Sequence, residues 1–201
     1  NYDELSFSGI LSELENQVPK CCLELLKDYH KVQYPISQND FSLILKYKLL
    51  NKQPESLVRY VDVSPEIASR IANQLNNFFN YKQFCDLLKT RELTQTRVNR
   101  ALLHIMLGIK KDSVSEYMNS GYNFYARLLG FRKDCSQILT EISKKSSLPL
   151  LTKLAESREL CELGQRMLRD DILASNLYTS VVTDKFKTAF LNEYKQRIIK
   201  I

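Results

Sequence analysis

The stretch Lys89–Ile109, KTRELTQTRVNRALLHIMLGI, decides the fold in the middle of this chain. Thr94 is placed to cap a helix, because its hydroxyl can accept a hydrogen bond from a free first-turn N–H, and Gly108 is placed to end that helix. At about 100° per residue, one stripe of the helix carries Arg97, Arg100 and His104. The opposite side carries apolar residues, Val98, Ala101, Leu102, Ile105 and Met106. The pattern predicts one face in a core and another that presents guanidinium groups, which bind phosphate.

The positive charge of the chain is unevenly distributed. The formal net charge is +6, and residues 82–153 hold 13 Lys and Arg against 6 Asp and Glu. The rest of the chain holds 16 basic and 17 acidic residues. A basic block of this kind favours an anionic partner, with nucleic acid first.

Length and composition are those of a globular protein. The chain has 201 residues, of which 44% are hydrophobic and 26% charged. It contains no apolar run near the roughly 20 residues of a membrane span and no signal peptide, so we expect a cytoplasmic protein without membrane contact. Five cysteines without a C-x-x-C pair predict reduced thiols and no zinc site. Because the chain does not begin with Met, we expect a piece of a longer protein.

The first half reads as helical throughout. We predict a helical segment over residues 1–36 and a helical bundle over residues 37–110 that contains the basic Thr/Arg helix. Besides Thr94, helix starts are expected in this bundle at Asn39 or Asp40, at Pro54, at Ser64-Pro65-Glu66, and at Asn80.

The second half, residues 111–201, is predicted to be a small α/β subdomain. Residues 110–124 read as a loop with a helical turn near Tyr117. The predicted strands are Phe124–Phe131, Leu148–Leu151 and the tail Arg197–Ile201. The predicted helices are Lys133–Lys144, with Ile138, Leu139 and Ile142 inside, and Glu156–Val181. The fold class is therefore mainly α, or α+β: a helical bundle followed by a small βαβ-type sheet of two or three short strands with flanking helices.

Four blocks of this sequence resemble a known family. They are Lys89–Arg100 with the LLHIML that follows, Tyr125–Phe131 (YARLLGF), Ser146–Lys153 (SSLPLLTK) and Asp171–Tyr178 (DILASNLY). Their order and spacing resemble the C-terminal half of the bacterial tRNA(Met) cytidine acetate ligases, which are nucleotidyltransferase-like proteins of the HIGH superfamily. The resemblance covers roughly residues 40–201.

The resemblance implies an enzyme that activates acetate with ATP and transfers the acetyl group to the wobble cytidine of tRNA(Met). In such proteins the chemistry belongs to an N-terminal domain with an H-x-G-H motif. The only histidines here, His30 and His104, are 74 positions apart. The resemblance thus implies that residues 1–36 follow a missing nucleotidyltransferase domain, that this chain binds no cofactor itself, and that the parent protein uses ATP.

One position departs from the pattern of the family. Leu11, in Ser8-Gly9-Ile10-Leu11, stands about where similar proteins end their nucleotide domain with a serine-rich signature that contains arginine. This departure leaves the activity of the parent protein open.

The candidate RNA-binding residues are basic or threonine side chains in the basic block. They are Lys89, Arg91, Thr94, Thr96, Arg97, Arg100, Arg127, Arg132 and Lys133. The alternative for the first group is a solvated helix end with internal ion pairs to Asp86 or Glu92. For Arg127, Arg132 and Lys133 the alternative is exposure to solvent or an ion pair with a carboxylate. We predict no catalytic residue, because no nucleophile has a base and an orienting acid at a recognisable spacing.

The function expected from these observations is the tRNA-binding portion of a tRNA(Met) cytidine acetate ligase-like protein. The expected partners are tRNA and the missing N-terminal nucleotidyltransferase domain of the same protein. The alternative is a non-catalytic interaction module that packs on that domain or forms a homodimer.

Overall fold

The computed structural model describes residues 7–201. Within these residues the chain forms α-helices α1 (Phe7–Leu14), α2 (Lys20–Tyr29), α3 (Ser42–Leu50), α4 (Pro54–Leu57), α5 (Pro65–Gln74), α6 (Tyr81–Leu88), α7 (Gln95–Leu107), α8 (Lys111–Asn119), α9 (Ser136–Lys145) and α10 (Glu162–Phe186). Short 3₁₀ helices cover Gln38–Phe41, Leu75–Asn77, Lys133–Cys135, Leu154–Glu159 and Glu193–Lys195. The described strands are β1 (Ala126–Arg127), β2 (Gly130–Phe131), β3 (Leu150–Leu151) and β4 (Ile199–Lys200). This confirms the predicted α+β class. Of the predicted segment 1–36, residues 1–6 lie outside the described part.

The main hydrophobic core is formed by α3–α7, with α7 contributing its predicted apolar face. Val98, Ala101 and Leu102 have no exposed surface, and Ile105 has almost none. Their largest buried neighbours come from the other four helices and their connections: Leu45, Leu49, Leu57, Ile67, Ile71, Phe78, Phe84, Leu88 and Leu93. The basic helix is therefore held in place by its buried side, which leaves its other side free for solvent or a partner.

Local capping signals place the helix starts in this bundle. Ser64, Asn80 and Thr94 each accept a hydrogen bond from the backbone N–H three residues ahead, as predicted. Gly108 ends α7 at φ +81°, a left-handed conformation that costs glycine little. The expected start at Asn39 or Asp40 is wrong, because Ser37 caps a 3₁₀ turn there and Asp40 closes the capping box by accepting from the Ser37 N–H.

The predicted loop over residues 110–124 is wrong for most of its length. Residues Lys111–Asn119 form α8, whose Tyr117 is buried. Serine and asparagine lower the helix propensity of this segment, but packing overrides a weak local preference. The 3₁₀ turn Lys133–Cys135 and α9 replace the single predicted helix, and Ile138 and Ile142 of α9 are exposed rather than inside.

The strands form two separate parallel pairs instead of one βαβ sheet. β1 pairs with β3 in the register Ala126↔Leu150, and β2 pairs with β4 in the register Gly130↔Ile199. The predicted strand 124–131 is thus split at Leu128–Leu129, since its two ends pair with different partners. The parallel orientation of the strands is confirmed.

Helix α10 connects the two apolar clusters of the described chain. Its Leu168 and Ile172 lie in a smaller cluster with Leu151, Leu154 and Leu160. One and a half turns further on, Leu177 packs against the main core. Among the described helices, none is long and apolar enough to cross a membrane.

Candidate nucleic-acid interface

The segment that leads into α7 is held by its threonines and by a buried leucine. The Thr90 hydroxyl accepts from the Leu93 N–H at 3.0 Å, and the Thr90 N–H donates to the Leu93 carbonyl at 3.1 Å. Leu93 is fully buried, which anchors this tight turn to the core. The turn leaves Arg91 exposed at its tip.

The two threonines at the start of α7 have different roles. Thr94 uses its hydroxyl to cap the helix through the Arg97 N–H, so that oxygen is already engaged. Thr96, the second residue of the helix, lies exposed in its first turn. Both stand at the positive end of the helix dipole, where an anion is stabilised.

The basic side chains around this helix end are engaged to different degrees. Lys89 Nζ lies 2.6 Å from Asp86 Oδ1, which is the internal pair considered as the alternative. Arg91 and Arg97 are exposed and form no ion pair with any residue in the described part of the chain. These two guanidinium groups are therefore available to an external anion.

Arg100 and His104 share a carboxylate that the sequence did not indicate. Asp62 Oδ2 lies 2.9 Å from Arg100 Nη2 and 3.2 Å from His104 Nδ1, within ion-pair distance but without hydrogen-bond geometry. Asp62 has φ +61°, a conformation that Asp adopts more readily than most residues. Arg100 is thus tethered at one edge of its guanidinium while its side chain stays 64% exposed.

Arg127, a candidate RNA-binding residue, is engaged by two carboxylates of the chain itself. Its guanidinium lies 2.5 Å from Glu193 Oε2 and 3.4 Å from Asp171 Oδ2, and its side chain is 20% exposed. The Ser175 hydroxyl donates to the other oxygen of Glu193. Burial alone would lower the pKa of Arg127, but its hydrogen bond to Glu193 and the charges of both carboxylates raise it. The internal ion pair left open by the sequence is therefore the observed arrangement.

Arg132 and Lys133 directly follow β2. Arg132 makes two hydrogen bonds to Asp134, at 3.2 and 2.6 Å, on an exposed surface. The Lys133 N–H donates to the Ile201 carbonyl next to β4. The nine predicted residues thus belong to two surfaces and one internal ion-pair cluster.

The described residues hold no arrangement that would bind a metal ion, and their buried thiol, Cys85, is inert. No group of three His, Cys, Asp or Glu side chains in residues 7–201 is arranged to hold a metal ion. Burial, with a smaller contribution from Asp86, raises the pKa of Cys85 to about 12, so this thiol is a poor nucleophile at neutral pH.

Comparison with known families assigns the chain. The model of the family described as HIGH Nucleotidyl Transferase matches residues 3–193. The chain belongs to this family. We expected a C-terminal portion beyond the nucleotidyltransferase domain. That expectation needs correction, because the family match lies on this chain itself and includes most of the segment 1–36 that was taken to follow the domain.

The similar relatives of this HIGH nucleotidyltransferase chain share one function. The tRNA(Met) cytidine acetate ligase of Thermoanaerobacter sp. (strain X514) is 34% identical over 174 residues, which are 86% of this chain and 42% of the relative. The ligase of Acetivibrio thermocellus is 28% identical over 196 residues, which are 96% of this chain and 46% of the relative. The chain therefore spans less than half the length of these relatives.

A solved structure has the same fold as this HIGH nucleotidyltransferase chain. It is Thermotoga maritima TmcAL bound with alpha-thio ATP, with a TM-score of 0.84 and 19% sequence identity. The similarity covers 96% of this chain and 49% of that structure. At this identity the comparison establishes the fold.

Proposed function

We propose that this chain supplies a tRNA-holding surface of a tRNA(Met) cytidine acetate ligase-like protein. The observation that carries the proposal is the amino-terminal end of α7, where Arg91 and Arg97 are exposed without an internal partner and Arg100 is only tethered at one edge. Lys89 and Thr96 extend the same surface. Guanidinium groups at a helix amino terminus suit the phosphates of RNA. We call these five residues the α7 surface.

The contribution of the α7 surface is positioning of the substrate. Holding tRNA at a fixed place lowers the entropic cost of bringing the wobble base to a reaction centre. The H-x-G-H motif expected from the resemblance does not occur in these 201 residues. In this proposal ATP is a substrate of the ligase as a whole, and the N-terminal domain with that motif remains a predicted partner.

The test is binding of bulk tRNA to the 201-residue chain at 50 and 200 mM salt. Arg97→Ala with Arg100→Ala should weaken binding and reduce the salt dependence, with a slope change of roughly 1.5 if each arginine neutralises one phosphate. A matched control removes two exposed positive charges from α2, Lys20→Ala with Lys27→Ala. Binding that is insensitive to salt, or equal losses in both double variants, would remove the support for the α7 surface.

The alternative of a homodimer has one supporting observation. Leu43, Tyr47 and Leu50 lie at helical spacing on α3, and Leu43 is 80% exposed. Phe79 is 79% exposed. It lies next to α3, because Lys46 of α3 donates a hydrogen bond to the carbonyl of the preceding residue, Phe78. An apolar patch of this kind can mediate association between copies. Sedimentation of the chain across a hundredfold range of concentration tests it, and a strict monomer excludes the homodimer.

A further inference from the structure

A second basic surface lies at the carboxyl-terminal end of the chain, around a cleft of about 660 Å³. One wall is Thr152–Ala155 and the other is Tyr194–Ile198, with Lys200 beyond it. The lining contains four positively charged side chains, Lys153, Lys195, Arg197 and Lys200, and no carboxylate. Among the sequence-based candidates none lines this cleft, although Lys133 lies beside the residue that follows Lys200.

Polar interactions hold the chain segments that form both walls in place. Thr152 and Lys153 follow β3, and their backbone N–H groups donate to the Glu156 carboxylate at 2.9 and 3.1 Å. Burial opposes these bonds, but together they hold the pKa of Glu156 below its usual range. On the other side, Glu193 is bound by Arg127 and Ser175, which positions Tyr194 directly after it. The cleft therefore has a defined shape before any partner binds.

Most of the positive charge of the cleft is uncompensated, although Lys153 is attracted by the Glu156 carboxylate. In the described part of the chain Lys153, Lys195 and Arg197 form no ion pair, and all three are exposed. Lys200 Nζ lies 5.8 Å from the centre of the Phe131 ring, a contact that leaves its charge uncompensated. The nearby carboxylate of Glu156 is occupied by backbone donors. Four such charges around one cleft attract an extended anion.

An exposed aromatic ring separates this cleft from a second basic hollow. Tyr194 is 58% exposed and lines both the cleft and an adjacent hollow that contains Arg158 and Arg169. Neither arginine forms an ion pair with a described residue. Cations on both sides of an exposed ring suit a strand whose phosphates alternate with accessible bases. In a duplex the bases are stacked and paired, so the ring would have no face to contact.

We propose that this cleft binds an unpaired RNA segment, with phosphates on Lys153, Lys195, Arg197 and Lys200 and one base stacked on Tyr194. The inference rests on the proposed function in taking RNA as the partner. It adds the class of RNA, a single strand, and a binding site separate from the α7 surface.

The test is fluorescence anisotropy of the 201-residue chain with a labelled ten-nucleotide oligocytidine and with a labelled RNA duplex of equal length. Lys153→Ala with Arg197→Ala should weaken oligocytidine binding at least tenfold at 50 mM salt and reduce the salt slope by about 1.4, the value for two contacts to a single strand. Tyr194→Leu should weaken it about tenfold, whereas Tyr194→Phe should bind as wild type because the ring remains. Lys20→Ala with Lys27→Ala is the charge-matched control. Urea unfolding of each variant confirms that it is folded.

Three results would overturn the cleft proposal. One is unchanged oligocytidine binding in the cleft variants, and another is equal binding of the duplex with the same sensitivity to these variants. The third is loss of labelled ATP binding in the cleft variants while RNA binding persists, which would make the cleft a nucleotide site.

The two proposals fail separately. If Arg97→Ala with Arg100→Ala abolishes tRNA binding while the cleft variants bind oligocytidine normally, the α7 surface stands and the cleft proposal falls. If the cleft variants lose RNA binding and Arg97→Ala with Arg100→Ala keeps it, the cleft proposal stands and the α7 surface falls.

Discussion

The guanidinium of Arg127 lies 2.5 Å from the carboxylate of Glu193, a residue 66 positions later in the chain. This ion pair joins β1 to the segment that follows α10, and Ser175 of α10 completes it. The contact therefore holds the segment after α10 against β1 in the carboxyl-terminal half of the fold. It also sets the position of Tyr194, one wall of the basic cleft.

Breaking this ion pair should destabilise the protein strongly. Arg127→Met leaves Glu193 buried without its cationic partner, and we expect a loss of about 3 kcal/mol in the free energy of unfolding. The matched control is Arg132→Met, which removes an exposed pair with Asp134 and should cost less than about 1 kcal/mol. Urea titration followed by circular dichroism measures both. Equal losses of unfolding free energy in the two variants would show that the buried pair of Arg127 stabilises the protein no more than the exposed pair of Arg132 does.

The same ion pair should make stability depend on pH in a defined direction. Although burial raises the pKa of Glu193, the Ser175 hydrogen bond and Arg127 lower it more, so its pKa lies below the ordinary value of 4.5. A carboxyl group with a depressed pKa contributes stability above its unfolded pKa and loses that contribution as the pH falls through its folded pKa.

The stability difference between wild type and Glu193→Gln should therefore be largest near pH 6 and shrink below pH 4. Urea unfolding at a series of pH values measures it. Glu141→Gln, which removes an exposed carboxylate, serves as the control and should differ little from wild type throughout. A difference for Glu193→Gln that stays constant down to pH 3 contradicts the expectation.

Removal of the α7 cap should lower the stability of the protein without changing its charge. Thr94→Ala removes the acceptor for the Arg97 N–H and should cost about 1 kcal/mol. Thr96→Ala, inside the same first turn, should have a smaller effect because alanine is the better helix former. Thermal unfolding of the two variants distinguishes them. A Thr96→Ala loss as large as that of Thr94→Ala would argue against the cap.

Releasing Arg100 should strengthen binding to tRNA. Asp62→Asn removes the charge that tethers Arg100, and asparagine tolerates the left-handed backbone at this position. We expect severalfold tighter binding of bulk tRNA, measured by anisotropy at 100 mM salt. Arg100→Ala in the same background should cancel the gain. An Asp62→Asn variant that binds like wild type would place Arg100 outside the RNA contact.

Local signals in the sequence predicted the parts of the fold that depend on neighbouring residues. Ser64, Asn80, Thr94 and Gly108 end or begin helices because each acts on backbone groups within four positions. Asp62 as a partner of Arg100 was not predictable, because that contact depends on how α7 packs against a turn 38 residues earlier in the chain.

The strands illustrate the same limit. Each is two residues long, and its partner is fixed by tertiary packing rather than by alternation along the chain. The segment 124–131 has the apolar character of one strand, but its ends bind different partners. The basic cleft was missed for a related reason, since its charges come from segments more than 40 residues apart.

The length of α10 has a consequence for substrate choice. Its 25 continuous residues extend about 37 Å, at 1.5 Å per residue, and touch both apolar clusters. A flexible linker would let the α7 surface and the cleft adapt to RNAs of many sizes. Because Leu168 and Ile172 of α10 pack in one apolar cluster and Leu177 packs against the other, the helix holds the two clusters at a fixed separation. We expect an RNA that contacts both proposed surfaces to be selected by its shape as well as by its charge.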